Sequence, residues 1–153
     1  MYYFAYGSNM SHSQMHQRCP SSKFLKRAYL RKHKLVFDGY SADWNGAVAN
    51  IVESPNETVW GGVFEINKDN LAALDCYEGY PKKYNRRQVT LKEDEGKEFK
   101  AFLYYRPLKE LGSPSNDYLN KIIEGARDCG LPNEYKNKIL KERVLKESRN
   151  DSK

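Results

Sequence analysis

Cysteine is scarce in this 153-residue chain: Cys19, Cys76 and Cys129 are its only three. They are odd in number, widely spaced and form no CxxC pair, which excludes a disulfide framework or a cysteine-based zinc site. Cys76 lies two residues before Glu78, but no histidine stands near it in the sequence to act as its base. It is therefore expected to be a small buried thiol rather than a nucleophile. Histidine is equally sparse. His12 and His16 have the i, i+4 spacing that grips a metal from one helix face, but no third ligand accompanies them, so no metal site is expected. Long apolar runs are missing too, since none approaches the roughly 18 residues of a membrane span. No basic region precedes the first hydrophobic stretch as it would in a signal peptide. The expectations are a cytoplasmic protein and no membrane partner.

A charge of one sign is also absent. Lysine and arginine number 26 against 20 acidic residues, a net of +6. Seven basic and three acidic residues between Lys136 and Lys153 contribute +4 of this, leaving +2 for everything before them. In that tail the cations alternate with Glu at helical spacings and no aromatic is interleaved for base stacking. It reads as a solvated helix, and nucleic acid is not an expected partner.

What is present fits one soluble domain with a sizeable core: 39% hydrophobic and 30% charged residues. Strand patterns fall at Tyr2 to Ala5, Ala28 to Phe37, Ala47 to Val52, Val59 to Ile66, Arg86 to Leu91 and Phe99 to Tyr105. Turn signals separate them at Asp38-Gly39, Asn45-Gly46, Ser54-Pro55-Asn56 and Glu95-Gly96. Connections this short make antiparallel neighbours, closing into a small barrel. A short helix begins near Asp69 and carries Leu71, Ala72 and Leu74. A longer one begins about Ser115, with Tyr118, Leu119, Ile122, Ile123 and Ala126 on one face, and stops at Gly130 before Pro132. The fold class is α+β: a small, mixed, mainly antiparallel β-barrel with flanking helices. Residues 1–140 form the domain, and 141–153 a basic tail, helical or disordered.

Two segments carry chemistry. In the first, Tyr2-Tyr3-Phe4-Ala5 runs into Tyr6-Gly7-Ser8-Asn9, and Ser11 opens a helix with Gln14 three residues on, as in a capping box. Strand, small-residue loop and helix start expose backbone N–H groups able to hold a carboxylate or phosphate. In the second, Asp75-Cys76-Tyr77-Glu78-Gly79-Tyr80-Pro81, a helix ends in a turn fixed by Gly79 and Pro81. Glu78 sits there among Tyr77, Tyr80 and Tyr84. A carboxylate among aromatic rings loses hydration, which favours its neutral form and suits a group that takes and returns a proton.

The pairing of FAYGSN with LDCYEGYPKKYNR about 70 residues later resembles the γ-glutamylcyclotransferase family in motifs and order. The likeness continues through ESPNETVWGGVFEINKDNLAALD and YLNKIIEGARDCGLPNEY, covering roughly residues 1–140. The resemblance implies a small barrel and an intramolecular aminolysis. In that reaction the α-amino group of a γ-glutamyl compound attacks its own δ-carbonyl, giving 5-oxoproline and a free amino acid or amine. Glu78 matches the family's catalytic glutamate, as general base and then acid. Tyr3, Phe4, Ala5, Tyr6, Gly7, Ser8 and Asn9 match its substrate-binding segment, and Tyr84, Tyr104 and Tyr118 match aromatic positions of the pocket. No cofactor is implied, the partner is a small γ-glutamyl molecule, and the resemblance is compatible with a homodimer. The leaving group stays open, as do a pathway-specific enzyme acting on a larger γ-glutamyl amine and a non-catalytic binding module of the same fold. Lys82 and Lys83 are placed near the cavity mouth.

Overall fold

Five strands close into a barrel in the order β1-β3-β2-β4-β5. The computed structural model describes the backbone of residues 1–151 and the side chains of residues 1–142. The strands are β1 (Tyr2–Ala5), β2 (Lys23–Ser41), β3 (Gly46–Glu65), β4 (Asn85–Lys92) and β5 (Glu98–Tyr105). All neighbours are antiparallel except β1 and β5, whose parallel pairing at Tyr3 and Phe102 seals the barrel. Closure removes the exposed edges that a five-stranded sheet would otherwise present.

The sequence divides this sheet more finely than the structure does. Residues expected as two strands, Ala47 to Val52 and Val59 to Ile66, form the single strand β3, and Ser54-Pro55-Asn56 lies inside it. Asp38-Gly39 likewise lies inside β2 rather than between strands. The physical reason is a long hairpin that absorbs irregular residues as bulges. Register shifts occur at Phe24/Lys26, Arg31/His33 and Asp38/Ser41, and Lys32 and Gly39 take positive φ at the last two. The turn itself runs from Ser41 to Gly46, with Asn45 in the left-handed region.

Four helices surround the barrel: α1 (His12–Arg18), α2 (Lys68–Glu78), α3 (Asn116–Asp128) and α4 (Asn133–Asp151). Their ends obey local rules. Ser11 caps α1 by accepting from Gln14 N–H, but Gln14 turns its amide elsewhere, so the expected reciprocal box is only half formed. Asn67 and Asn70 complete a reciprocal box on α2, and Ser115 caps α3. The chain leaves α3 through Cys129 and left-handed Gly130, and α4 follows Pro132. Within the tail expected over 141–153, the backbone is helical to Asp151, and Ser152 and Lys153 lie outside the described residues.

The core joins the barrel interior to α3. Tyr118, Leu119, Ile122 and Ala126 are buried on one helix face, with Ile123 half-buried beside them. Each fully buried Leu or Ile of this set contributes about 1.5–3 kcal/mol. Gly125 lies on the same face, where a Cβ would collide with Met10 and the Ser11 backbone. That close approach seats α3 against the loop following β1. Among the described residues, no helix is long and apolar enough to cross a membrane.

Candidate active site

The loop after β1 and the end of α2 open into one cavity of about 560 Å³. Tyr6 leads into a 3₁₀ turn at Ser8–Met10, where Met10 N–H returns to Gly7 O at 3.1 Å. The side chains of this loop are tied to α1. Gln14 Nε2 donates to Ser8 Oγ at 2.7 Å and to Asn9 Oδ1 at 3.0 Å, Arg18 Nη1 donates to Asn9 Oδ1 at 3.0 Å, and Asn9 Nδ2 donates to Tyr3 OH at 3.1 Å. The amide that departs from the capping box therefore shapes the loop instead.

Glu78 is the last residue of α2. Gly79 follows it with φ 68°, in the left-handed conformation that ends the helix and turns the chain away. The end of α2 is fixed to the barrel through Asp75, which accepts from Tyr104 OH at 2.6 Å and pairs with Arg86 Nε at 3.1 Å. These contacts hold the Glu78 carboxyl on the cavity wall. Burial pushes its pKa up from 4.5 to about 7, while Arg18 and then Arg106 pull against that rise. The group is thus poised near neutral pH.

Tyrosines form much of the remaining wall. Tyr118 OH accepts from Ala49 N–H at 2.9 Å, Tyr84 OH donates to Ala49 O at 3.3 Å, and Tyr6 OH donates to Tyr104 O at 2.6 Å. Burial raises the phenols of Tyr3, Tyr6, Tyr104 and Tyr118 well above their ordinary range, and that of Tyr84 to about 12. All five stay neutral at pH 7, so they are hydrogen-bonding groups and the titrating group near neutrality is Glu78.

Of the residues expected from sequence, Tyr3, Phe4, Tyr6, Gly7, Ser8, Asn9, Glu78, Tyr84, Tyr104 and Tyr118 all line this cavity. Ala5 does not; it is buried in the sheet opposite Gly62. The aromatic surroundings expected for Glu78 are met in part: Tyr77 and Tyr84 line the cavity with it, and Tyr80 is not among the lining residues. Tyr77 and Tyr80 are 58% and 37% exposed, and Tyr3, Tyr6 and Tyr104 complete the wall from β1, the loop after it and β5. Cys76, expected as a buried thiol, is exposed on α2. Lys83 lines the cavity from an exposed position at its rim.

Several residues in and behind the wall are not singled out by sequence reasoning. Arg106 is 6% exposed and its Nη1 lies 2.8 Å from Oδ2 of the fully buried Asp38. Its Nη2 donates to Asp38 O at 2.9 Å, and Asn50 Nδ2 bonds both the Asp38 carboxylate and Arg106 O. The Arg106 guanidinium also sits 5.1 Å from the Tyr84 ring centroid. The tip of the β2–β3 hairpin, from Gly39 to Trp44, closes one side. Asp38 reads as half of a turn dipeptide and Arg18 as a cation suited to a helix C-terminus, so neither stands out. A signal existed only in the charge of Asp38 directly after the apolar run Leu35-Val36-Phe37. Among the described residues, no group of three or more His, Cys, Asp or Glu side chains converges.

Comparison with known proteins gives a consistent picture. A family model described as gamma-glutamyl cyclotransferase, AIG2-like, matches residues 3–121. The chain is 41% identical over 142 residues to the gamma-glutamylcyclotransferase of Bos taurus, covering 90% of this chain and 76% of that protein. It is 39% identical to the Homo sapiens protein over the same extents. A solved structure titled gamma-glutamyl cyclotransferase superposes with a TM-score of 0.86 at 38% identity, covering 91% of this chain and 85% of that one.

Proposed function

Since the chain belongs to the gamma-glutamyl cyclotransferase, AIG2-like family, we propose that its cavity performs the cyclotransferase reaction with Glu78 as the proton shuttle. The activity is that of a γ-glutamylcyclotransferase, which frees an amino acid or amine from a γ-glutamyl compound and leaves 5-oxoproline. The observation that carries the mechanism is a single carboxyl, poised near pH 7, facing the same cavity as the loop from Gly7 to Asn9.

The substrate supplies both reactants. Its α-ammonium must lose a proton before the nitrogen can attack the δ-carbonyl, and Glu78 as carboxylate accepts that proton. The new N–C bond closes a five-membered ring, and the former amide C–N bond breaks. The departing nitrogen receives the proton from Glu78, which returns to its starting state, and the second proton carried by the ring nitrogen passes to the freed amine, which leaves as an ammonium. Each transfer contributes on the order of 10²- to 10⁴-fold. A carboxylate of ordinary pKa would be a weaker base in the first half, whereas a group near 7 serves both directions.

Charge developing on the carbonyl oxygen requires donors. The loop N–H groups and the phenols of Tyr3 and Tyr118, which accept from Asn9 and Ala49 and keep their own O–H to give, supply them, and losing one such donor costs on the order of 10²- to 10³-fold. The enclosing wall also holds the γ-glutamyl arm folded back on itself, the near-attack geometry on which ring closure depends. Because attacking and attacked atoms share one molecule, the enzyme needs no nucleophile of its own.

The test is mass-spectrometric detection of 5-oxoproline from γ-glutamyl-alanine, with wild type beside Glu78→Gln. Wild type is expected to form 5-oxoproline and the variant to form essentially none. Undiminished turnover by the variant refutes the role assigned to Glu78.

A further inference from the structure

We propose that Arg18 is the receptor for the α-carboxylate of the γ-glutamyl arm, an assignment that rests on the cyclotransferase reading above. Arg18 ends α1 and lines the cavity beside Glu78. Two contacts fix its guanidinium without neutralising it. One edge donates from Nη1 to Asn9 Oδ1 at 3.0 Å, an oxygen already held by Gln14 at 3.0 Å. One face lies 4.4 Å from the centroid of the Tyr77 ring. Among the described residues Arg18 makes no ion pair, so a planar cation is held in the cavity wall with donors to spare.

The chemistry of the substrate calls for a cation at this place. The carboxylate and the attacking amine of a γ-glutamyl group are bonded to the same carbon, so the anion's receptor must stand next to the base that serves the amine. Arg18 is the cation that acts most strongly on Glu78, ahead of Arg106. A guanidinium fork matches a carboxylate through two parallel N–H donors, which fixes orientation as well as charge. The other lining cations are less suited. Arg106 already holds buried Asp38, and Lys83 and Lys109 are exposed at the rim. Fixing the carboxylate at Arg18 also fixes the Cα, and with it the direction from which the amine approaches the carbonyl.

The test pairs enzyme variants with a truncated substrate. 4-Aminobutyryl-alanine keeps the reacting amine and amide but lacks the α-carboxylate; it cyclises to 2-pyrrolidinone and alanine. Its kcat/KM is compared with that of γ-glutamyl-alanine in wild type, Arg18→Met and Arg18→Gln. Any intrinsic difference between the two amines cancels when the ratios are compared across enzymes. Wild type is expected to prefer the carboxylated substrate by on the order of 10²-fold or more, the scale of a charged hydrogen-bonded contact. Both variants should lose most of that preference, because γ-glutamyl-alanine suffers beyond any change in Glu78 and the loop that the two substrates share. The glutamine variant retains a donor for Asn9 Oδ1, so it separates loss of charge from loss of the loop contact, and circular dichroism melting checks its fold. A wild-type-sized preference in either folded variant overturns the assignment while leaving the cyclotransferase reading intact. A wild type that cyclises neither compound overturns both.

Discussion

Replacing Glu78 by glutamine should remove activity and at the same time stabilise the protein, in a manner that depends on pH. The carboxyl is held near pKa 7 in the fold against an ordinary value of 4.5. Such a shift means that the folded state binds its proton more tightly than the unfolded chain does. The contribution is fully present below pH 4.5, falls as pH rises, and is lost above about 7. Between those limits the difference amounts to about 3 kcal/mol as an upper figure. Glutamine is similar in shape and never ionises, so it escapes this loss. At pH 8.5 the variant should therefore melt above wild type by roughly 6–12 °C more than it does at pH 4.5, at about 2–4 °C per kcal/mol for a chain of this size. The assay is differential scanning fluorimetry across that pH range, paired with 5-oxoproline formation. In wild type the acid limb of kcat/KM should bend near pH 7, and the variant should fall by at least about 10²- to 10⁴-fold. A melting difference that is the same at both pH values, with an acid limb below pH 5, refutes the reasoning. It would mean that the carboxyl is hydrated and the desolvating wall plays no part.

Other perturbations probe the supports of the site. Breaking the buried Asp38–Arg106 pair with Arg106→Met should cost about 3–5 kcal/mol by leaving a buried carboxylate unpaired, and Asp38→Asn in the same chain should recover part of it in urea unfolding. A single variant as stable as wild type would contradict this. Tyr118→Phe strips the partner from the Ala49 N–H and should destabilise by about 1–3 kcal/mol while lowering kcat/KM. Gly125→Ala forces α3 away from Ser11 and the loop end at Met10, so its melting temperature and its activity should fall together. Full activity in a destabilised Gly125→Ala would show that the seat of α3 does not set the loop.

Much of this architecture is written locally. Ser115 before an apolar face, with Gly130 and Pro132 beyond it, marks α3 closely, because capping and periodicity act within a few residues. The same holds for Gly79 at the end of α2. The long β2–β3 hairpin is not legible in this way. Pro55 and Gly39 read as interruptions, yet cross-strand pairing over some twenty residues outweighs each local preference and turns it into a bulge. The site divides along the same line. Glu78 and the loop from Tyr6 to Asn9 can be found from sequence, since each sits where a strand or helix breaks and the two motifs keep a recognisable order.

What the sequence determined by itself is which groups exist: one carboxyl at a helix end, one small-residue loop, and aromatics in plenty. Only the tertiary structure decided how the aromatics are placed, bringing Tyr3, Tyr6 and Tyr104 to one cavity with Tyr77, while Tyr80 is not among its lining residues. Only the structure also set Arg18 beside Glu78 and Arg106 against Asp38. The reason is physical: a hydrogen bond or cap is fixed by neighbours along the chain, whereas burial and charge pairing depend on distances that exist only once the barrel has closed.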